Sequence, residues 1–138
     1  MSIVQTQTTS FKKELYQAVH NLATDTIKIA LYTGNADLNE ATTVYSATNE
    51  VSGTGYTAGG EIMTGVAISS SGYLAYANWA NVSWTAALTA RCALIYNVTQ
   101  GNKSIAVLDF GSDKTSITTF TITMPANTST TALIRSSN

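Results

Sequence analysis

Apolar residues recur at every second position through most of this chain, and this period of two constrains its fold more than any other feature. The alternation begins at residues 27–32 and returns near the end, where apolar residues at 120, 122 and 124 alternate with threonines. Successive side chains of a strand point to opposite faces, so the pattern indicates strands with one buried face and one solvated face. About seven or eight short strands follow, separated by turns at hairpin spacing.

One segment near the N-terminus has a helical period instead. Phe11, Leu15 and Leu22 recur at spacings that place them on one side of a helix. We therefore predict an amphipathic helix over residues 11–23. Residues 1–9 are polar and unpatterned, and we predict that they form a flexible arm.

Together these patterns predict a mainly β protein. Hairpin-spaced strands favour an antiparallel β-sandwich or jelly roll, with the N-terminal helix covering one open face or one sheet edge. Residues 10–138 are predicted to form a single domain, since 138 residues suit one core. The segment 104–110 is apolar on both faces, which predicts a central strand covered on both sides. Residues 62–68 are predicted to share one strand, followed by a turn at residues 69–72.

The polar positions of this chain carry hydroxyls rather than charges. Charged residues make up 11% of the sequence and the formal net charge is −1, while there are 23 threonines and 14 serines. A typical soluble domain has about 25% charged residues. A net charge near zero leaves weak repulsion between copies and promotes association. This composition suits a protein that packs against other copies or another protein, and it suits an enzyme less well.

The same composition argues against several partners. Lysine and arginine are scattered, so the basic stripe expected of a nucleic-acid-binding protein is missing. No apolar run reaches the roughly 18 residues of a membrane span. Cys92 is the single cysteine and allows no internal disulfide. Residues 1–9 lack the basic and apolar regions of a secretory signal. We expect synthesis and folding inside the cell, with no nucleic-acid partner and no membrane.

Residues that could carry chemistry form no recognisable catalytic or metal-binding pattern. His20 is the only histidine and lies at the border of the apolar helical stripe, so a nucleophile–base pair would have to use it. One histidine and one cysteine without clustered carboxylates do not make a zinc site. A glycosidase pair could be formed by two of the eight acidic residues, but nothing singles out any two. We expect no enzyme activity, no metal and no cofactor.

The glycine-rich segment at residues 52–60 is the strongest local motif. Its part 53–58 matches the loose dinucleotide-binding pattern G-x-G-x-x-A. That site needs a preceding strand and a following helix whose N-terminus holds the pyrophosphate, whereas a strand-like segment follows here. We interpret the segment as a loop shaped for close backbone approach, at an interface.

Two tryptophans complete the candidate interface. Trp79 and Trp84 belong to an aromatic stretch of the kind that fills cores and subunit interfaces, and stacking on sugars is the alternative. The predicted interface residues are Gly53, Gly55, Tyr56, Gly59, Gly60, Trp79 and Trp84.

Five strings in the chain are more specific than any of these motifs. They are SFKKEL at residues 10–15, IKIALYT at 27–33, NEVSGTGYTAGG at 49–60, ALIYN at 93–97 and AVLDFG at 106–111. Over residues 10–135 the chain resembles a group of small structural proteins of tailed bacteriophages. The resemblance implies a non-enzymatic virion protein, and the version that we favour is a capsid decoration or cement protein, since such proteins are commonly small, β-rich and oligomeric.

On this hypothesis the protein is made in the host cytoplasm and ends on the capsid surface. Its partners are the phage major capsid protein, which it clamps by non-covalent burial, and itself, as a homodimer or homotrimer. The arm at residues 1–9 orders on binding by strand addition, and the loop at 52–60 approaches another backbone. A tail or neck component, or a carbohydrate- or receptor-binding module, is the alternative.

Overall fold

A computed structural model describes residues 2–136 of the protein. Met1, Ser137 and Asn138, which belong to the predicted arm and domain, lie outside the described residues. These described residues form ten strands and one helix, and the prediction of a mainly β fold with one N-terminal helix is confirmed. In chain order the elements are β1 (Thr6–Gln7), α1 (Thr9–Tyr16), β2 (Ile27–Tyr32), β3 (Glu61–Ile62), β4 (Ala67–Ser71), β5 (Leu74–Asn78), β6 (Val82–Trp84), β7 (Thr89–Asn97), β8 (Lys103–Thr115), β9 (Phe120–Ile122) and β10 (Ile134–Ser136).

The strands form three antiparallel sheets. A five-stranded sheet has the order β1-β8-β7-β2-β3, a three-stranded sheet has the order β10-β5-β4, and β6 pairs with β9. Antiparallel pairing of the strands was predicted and is confirmed. This strand order does not establish the jelly-roll connectivity, which stays a prediction.

The strands β2 and β7 of the five-stranded sheet are largely buried on both faces, and the core lies against them. In β2, Ile29 and Leu31 pack into the larger hydrophobic cluster, while Ala30 and Tyr32 pack into a second cluster on the opposite face. Of residues 104–110, predicted to form a strand covered on both sides, residues 104–107 of β8 are buried and residues 108–110 are half-buried. However, β8 lies next to the edge strand β1 rather than at the centre of the sheet.

The predicted strand over residues 62–68 is wrong, and the reason is a glycine. Gly65 adopts a φ of +66°, a left-handed conformation that an extended strand cannot contain. The chain therefore forms β3, leaves the sheet, and begins β4 in a different sheet at Ala67. The predicted turn at residues 69–72 shifts as well, because β4 continues to Ser71 and the turn lies at Gly72–Tyr73.

The helix is shorter than the predicted 11–23. Thr8 is its N-cap, with its hydroxyl accepting a hydrogen bond from the Phe11 N–H at 3.3 Å. The helix ends at Tyr16, and Ala18 takes a φ of +57° just beyond it. Leu22 therefore lies in the loop that follows rather than on a helical stripe. Among residues 2–136, no helix is long and apolar enough to cross a membrane.

The N-terminal segment packs against the rest of the protein, whereas a flexible arm was predicted. Thr6 and Gln7 pair with Val107 and Ala106 of β8, and Ile3 forms a bridge with Leu38. Thr8 is fully buried. The predicted boundary between an arm and a domain at residues 9 and 10 is therefore absent from the described structure, because this segment covers an edge of the main sheet.

Candidate interaction surface

The first strand of the β4–β5 hairpin is exposed along its whole length. All five residues of β4 are exposed, and none is charged. A two-residue loop, Gly72–Tyr73, joins the strands, and Gly72 has a φ of +61°, as a tight hairpin turn with glycine first requires. β5 pairs with β10 on its other side, so β4 is a sheet edge.

An apolar groove separates this three-stranded sheet from helix α1. Ala75 and Ala77 of β5 and Ile134 of β10 line one side, while Leu15 of α1 and Leu22 of the following loop line the other. The alanines are too small to fill the space, which leaves a groove of about 360 Å³.

Large side chains of the hairpin and of α1 are exposed to solvent. Ile68 of β4, in the groove wall, is 54% exposed, Tyr73 at the hairpin tip is 89% exposed, and Tyr16 at the end of α1 is 94% exposed. A cluster of exposed apolar and aromatic side chains marks interaction sites in soluble proteins. We call the β4–β5 hairpin, the groove and Tyr16 the hairpin surface.

The glycine-rich loop at residues 52–60, in contrast, is bound within its own chain. The Glu50 carboxylate accepts hydrogen bonds from the Tyr56 hydroxyl at 2.6 Å and from the Gly59 N–H at 2.8 Å. The Tyr96 hydroxyl donates to the Gly59 carbonyl at 2.6 Å. The loop is therefore attached to β7 and to the segment before it, and its tyrosine is not available to a partner.

The predicted close backbone approach does occur in this loop, but the backbone that the glycines approach belongs to the same molecule. A Cβ atom on Gly60 would overlap the Ile29 carbonyl oxygen, and one on Gly55 would lie 2.9 Å from the Ala86 Cβ. Both glycines have positive φ, +80° and +93°. Their neighbours are backbone and side chains of the same molecule, so the glycines serve the fold. Of the predicted loop residues, Gly53 and Gly55 are exposed and Gly59, Gly60 and Tyr56 are buried.

A cluster of tyrosines surrounds Glu50. The rings of Tyr45 and Tyr96 stack at 4.7 Å, and the Tyr45 hydroxyl donates to Glu50 at 2.6 Å. Burial, with the nearby Glu50 charge as a smaller cause, raises the pKa of Tyr96 to about 12. Burial and the hydrogen bond to Glu50 likewise raise the pKa of Tyr56 above its usual value. These tyrosines stay protonated at neutral pH and act as hydrogen-bond donors that hold the loop.

Both tryptophans of the predicted interface lie in the hydrophobic core. Trp79 is 5% exposed and Trp84 is 2% exposed. Trp84 packs between Tyr56, at 6.0 Å between ring centroids, and Phe120, at 6.2 Å. Of the interpretations that the sequence offered, a role in the core is the one that agrees with this burial, since neither indole presents a surface to a partner or to a sugar.

His20 also has a structural role. Its Nε2 atom lies 2.8 Å from Glu14 Oε1, its Nδ1 atom lies 3.0 Å from Asn97 Nδ2, and its side chain has no exposed surface. Asn97 Nδ2 in turn donates to Asp25 at 2.8 Å. Burial raises the pKa of Asp25, but hydrogen bonds from the Asn21 N–H and from the Asn97 and Gln100 side chains outweigh it and leave that pKa below its usual value.

The single cysteine is also inaccessible. Cys92 is fully buried, and this burial raises the pKa of its thiol to about 11. A thiol that stays protonated is a poor nucleophile. In the described part of the chain, no three histidine, cysteine, aspartate or glutamate side chains are grouped so that they could hold a metal ion.

Sequence reasoning missed the residues of the hairpin surface. The sequence placed Ile68 in a strand over residues 62–68 and Leu15 on the apolar stripe of the helix, and neither pattern showed that both side chains are exposed. The available signals were Gly65, which interrupts the strand before Ile68, and the run of three serines at 69–71, which leaves an uncharged strand. Comparisons with known protein families, with curated proteins and with solved structures find no match to this chain.

Proposed function

We propose that this protein is a non-enzymatic structural protein that acts by binding its neighbours in an assembly, as a capsid decoration protein of a tailed phage does. The observation that carries this proposal is the hairpin surface. It is an uncharged strand with free backbone groups beside an apolar groove whose wall includes the exposed Ile68. Tyr73 in the hairpin loop and Tyr16 at the end of α1 are exposed as well. Such a surface offers broad non-covalent contact without desolvation of charges.

The positions of the reactive side chains support the same proposal. Glu50 is occupied by two tyrosine hydroxyls and a backbone N–H, and His20 is enclosed between Glu14 and Asn97. These contacts stabilise loops and leave neither side chain free as a general base facing a cleft. The alternative of a carbohydrate-binding module loses both tryptophans as stacking rings, since Trp79 and Trp84 are buried, and only Tyr73 of that aromatic stretch is largely exposed.

The virion role itself is supported by the five strings that resemble small structural proteins of tailed phages. Mass spectrometry and electron microscopy of purified particles of the phage that carries the gene test this role directly. A decoration protein gives ordered density on the outer capsid surface, and its removal lowers the temperature at which particles lose their DNA. Density in the tail or neck would select that alternative, and absence of the chain from particles would overturn the virion role.

A further inference from the structure

The outer edge of β4 presents unpaired backbone groups. Ser71 and Leu74 flank the two-residue loop and oppose each other, so they form a hydrogen-bonded pair. Pair types alternate along an antiparallel ladder, so Ser69 also faces β5, while the N–H and C=O groups of Ile68 and Ser70 point away from it. Within residues 2–136, no hydrogen bond from outside the β4–β5 ladder reaches residues 67–71.

The other sheet edges carry features that prevent pairing with another chain. Short strands, charged side chains and covered edges are the usual ones. β1 and β3 are two residues long, and β6 and β9 are three. In β10, the Arg135 carbonyl is occupied by the Gln7 side chain at 2.9 Å. The outer part of β8 contains Asp109, Asp113 and Lys114. β4 has five residues, no charge, no proline and no break in its register with β5.

We infer that β4 pairs antiparallel with β4 of a second copy of this chain across a two-fold axis. The pairing is self-complementary, because Ile68 of each copy lies opposite Ser70 of the other copy. With Ser69 on the axis, about four backbone hydrogen bonds form, and the two three-stranded sheets become one continuous sheet. A second copy fits this edge because it supplies an equally uncharged strand and the chain has a net charge of only −1.

The same pairing covers the exposed isoleucine. Ile68 opposes Ala77 across the ladder and lies on the groove side of the sheet. A two-fold axis perpendicular to the sheet places both copies of Ile68 on this face as diagonal neighbours, about 7–8 Å apart. The grooves of the two copies then adjoin on one face of the joined sheet, which gives the dimer a larger apolar surface.

This inference rests on the proposed function for its purpose, since a dimer presents the hairpin surface twice and gains avidity on a repetitive shell. The two can fail separately. Solution mass tests the pairing without any particle, and particle density tests the virion role without assuming a dimer.

The test compares the mass of the wild-type chain with that of three variants by light scattering and sedimentation over a wide range of concentration. Ile68→Lys places a charge on the edge, and Ser70→Pro removes an outward N–H at a position where an edge strand tolerates proline. Ile62→Lys is the matched control, since Ile62 is 55% exposed but lies on β3. We expect a wild-type dimer, a dimer for Ile62→Lys, and dissociation constants raised at least about tenfold for the two β4 variants.

Hydrogen exchange of the wild-type chain keeps the inference testable if a variant fails to fold. The amides of Ile68 and Ser70 should exchange rapidly in dilute protein and slowly in concentrated protein, while those of Ser69 and Ser71 stay protected in both. The pairing would be overturned if the wild-type chain is a monomer at high concentration, if it is a trimer, or if both β4 variants leave the oligomer intact. It would also be overturned if the exchange rates of the Ile68 and Ser70 amides do not change with protein concentration.

Discussion

Tyr56 donates a hydrogen bond to Glu50 at 2.6 Å, and the same phenolic oxygen accepts the Leu31 N–H at 2.9 Å. One hydroxyl thus joins the glycine-rich loop both to the carboxylate before it and to the buried strand β2. These two hydrogen bonds hold the loop in its conformation.

Removing the hydroxyl should destabilise the protein measurably. Tyr56→Phe leaves the buried Leu31 N–H without its acceptor and removes one donor from Glu50, at a cost of about 1–3 kcal/mol in the free energy of unfolding. Urea denaturation checks this value. Tyr73→Phe, at a tyrosine that is 89% exposed, is the control and should change stability little. Equal effects of the two variants would contradict the role of Tyr56.

Stability should fall in alkaline solution. Burial raises the folded-state pKa of Tyr96 to about 12 from an ordinary value of 10.0. Above pH 10 the unfolded chain therefore loses this proton while the folded chain keeps it, and the free energy of unfolding falls as pH rises, by about 1.4 kcal/mol per pH unit for each such tyrosine. Tyr32 and Tyr56 add to the slope in the same direction.

Urea denaturation at a series of pH values up to about 12 measures this slope. Tyr96→Phe is the matched variant, and it should be less steep than the wild type because one linked proton is gone. A stability that stays level from pH 10 to 12 would show that these hydroxyls are not held protonated by the fold.

Gly60→Ala should be among the most destabilising single substitutions. The new Cβ would overlap the Ile29 carbonyl oxygen, and the residue would keep a φ of +80°. Backbone cannot move aside cheaply, so we expect a loss of more than about 3 kcal/mol or failure to fold. Gly72→Ala separates the two causes, since Gly72 has a φ of +61° but no atom within 4 Å of the position that the new methyl group would occupy. Gly72→Ala should lower the free energy of unfolding by only about 1 kcal/mol. Thermal melting of the two variants compares their stabilities.

Deleting residues 2–8 should destabilise the isolated protein. The deletion removes the pairing of Thr6 and Gln7 with β8 and the buried Thr8 cap of α1. Thr8→Ala alone should cost about 1–2 kcal/mol in the free energy of unfolding. Val4→Ala, at a residue that is 41% exposed, is the control. Unchanged melting of the truncated chain would show that the segment is a dispensable arm.

The sequence alone was sufficient to predict the position of strands whose two faces differ in polarity or are both apolar. Residues 27–32 and 120–122 form strands close to where alternation predicted them, and the doubly apolar segment 104–110 lies within β8, because side-chain direction in a strand depends only on local geometry. The helix was predicted in place but too long, since Leu22 continues the apolar spacing although the chain leaves the helix after Tyr16.

The candidate site depended on contacts that no local pattern contains. Gly60 looked like an interface residue, and only the position of Ile29, distant in the chain, shows why a glycine is needed there. Trp84 is buried and Ile68 is exposed for the same reason: burial depends on which elements pack together. Composition and period therefore determined a mainly β protein with few charges, whereas tertiary packing decided which of its surfaces remain free to bind.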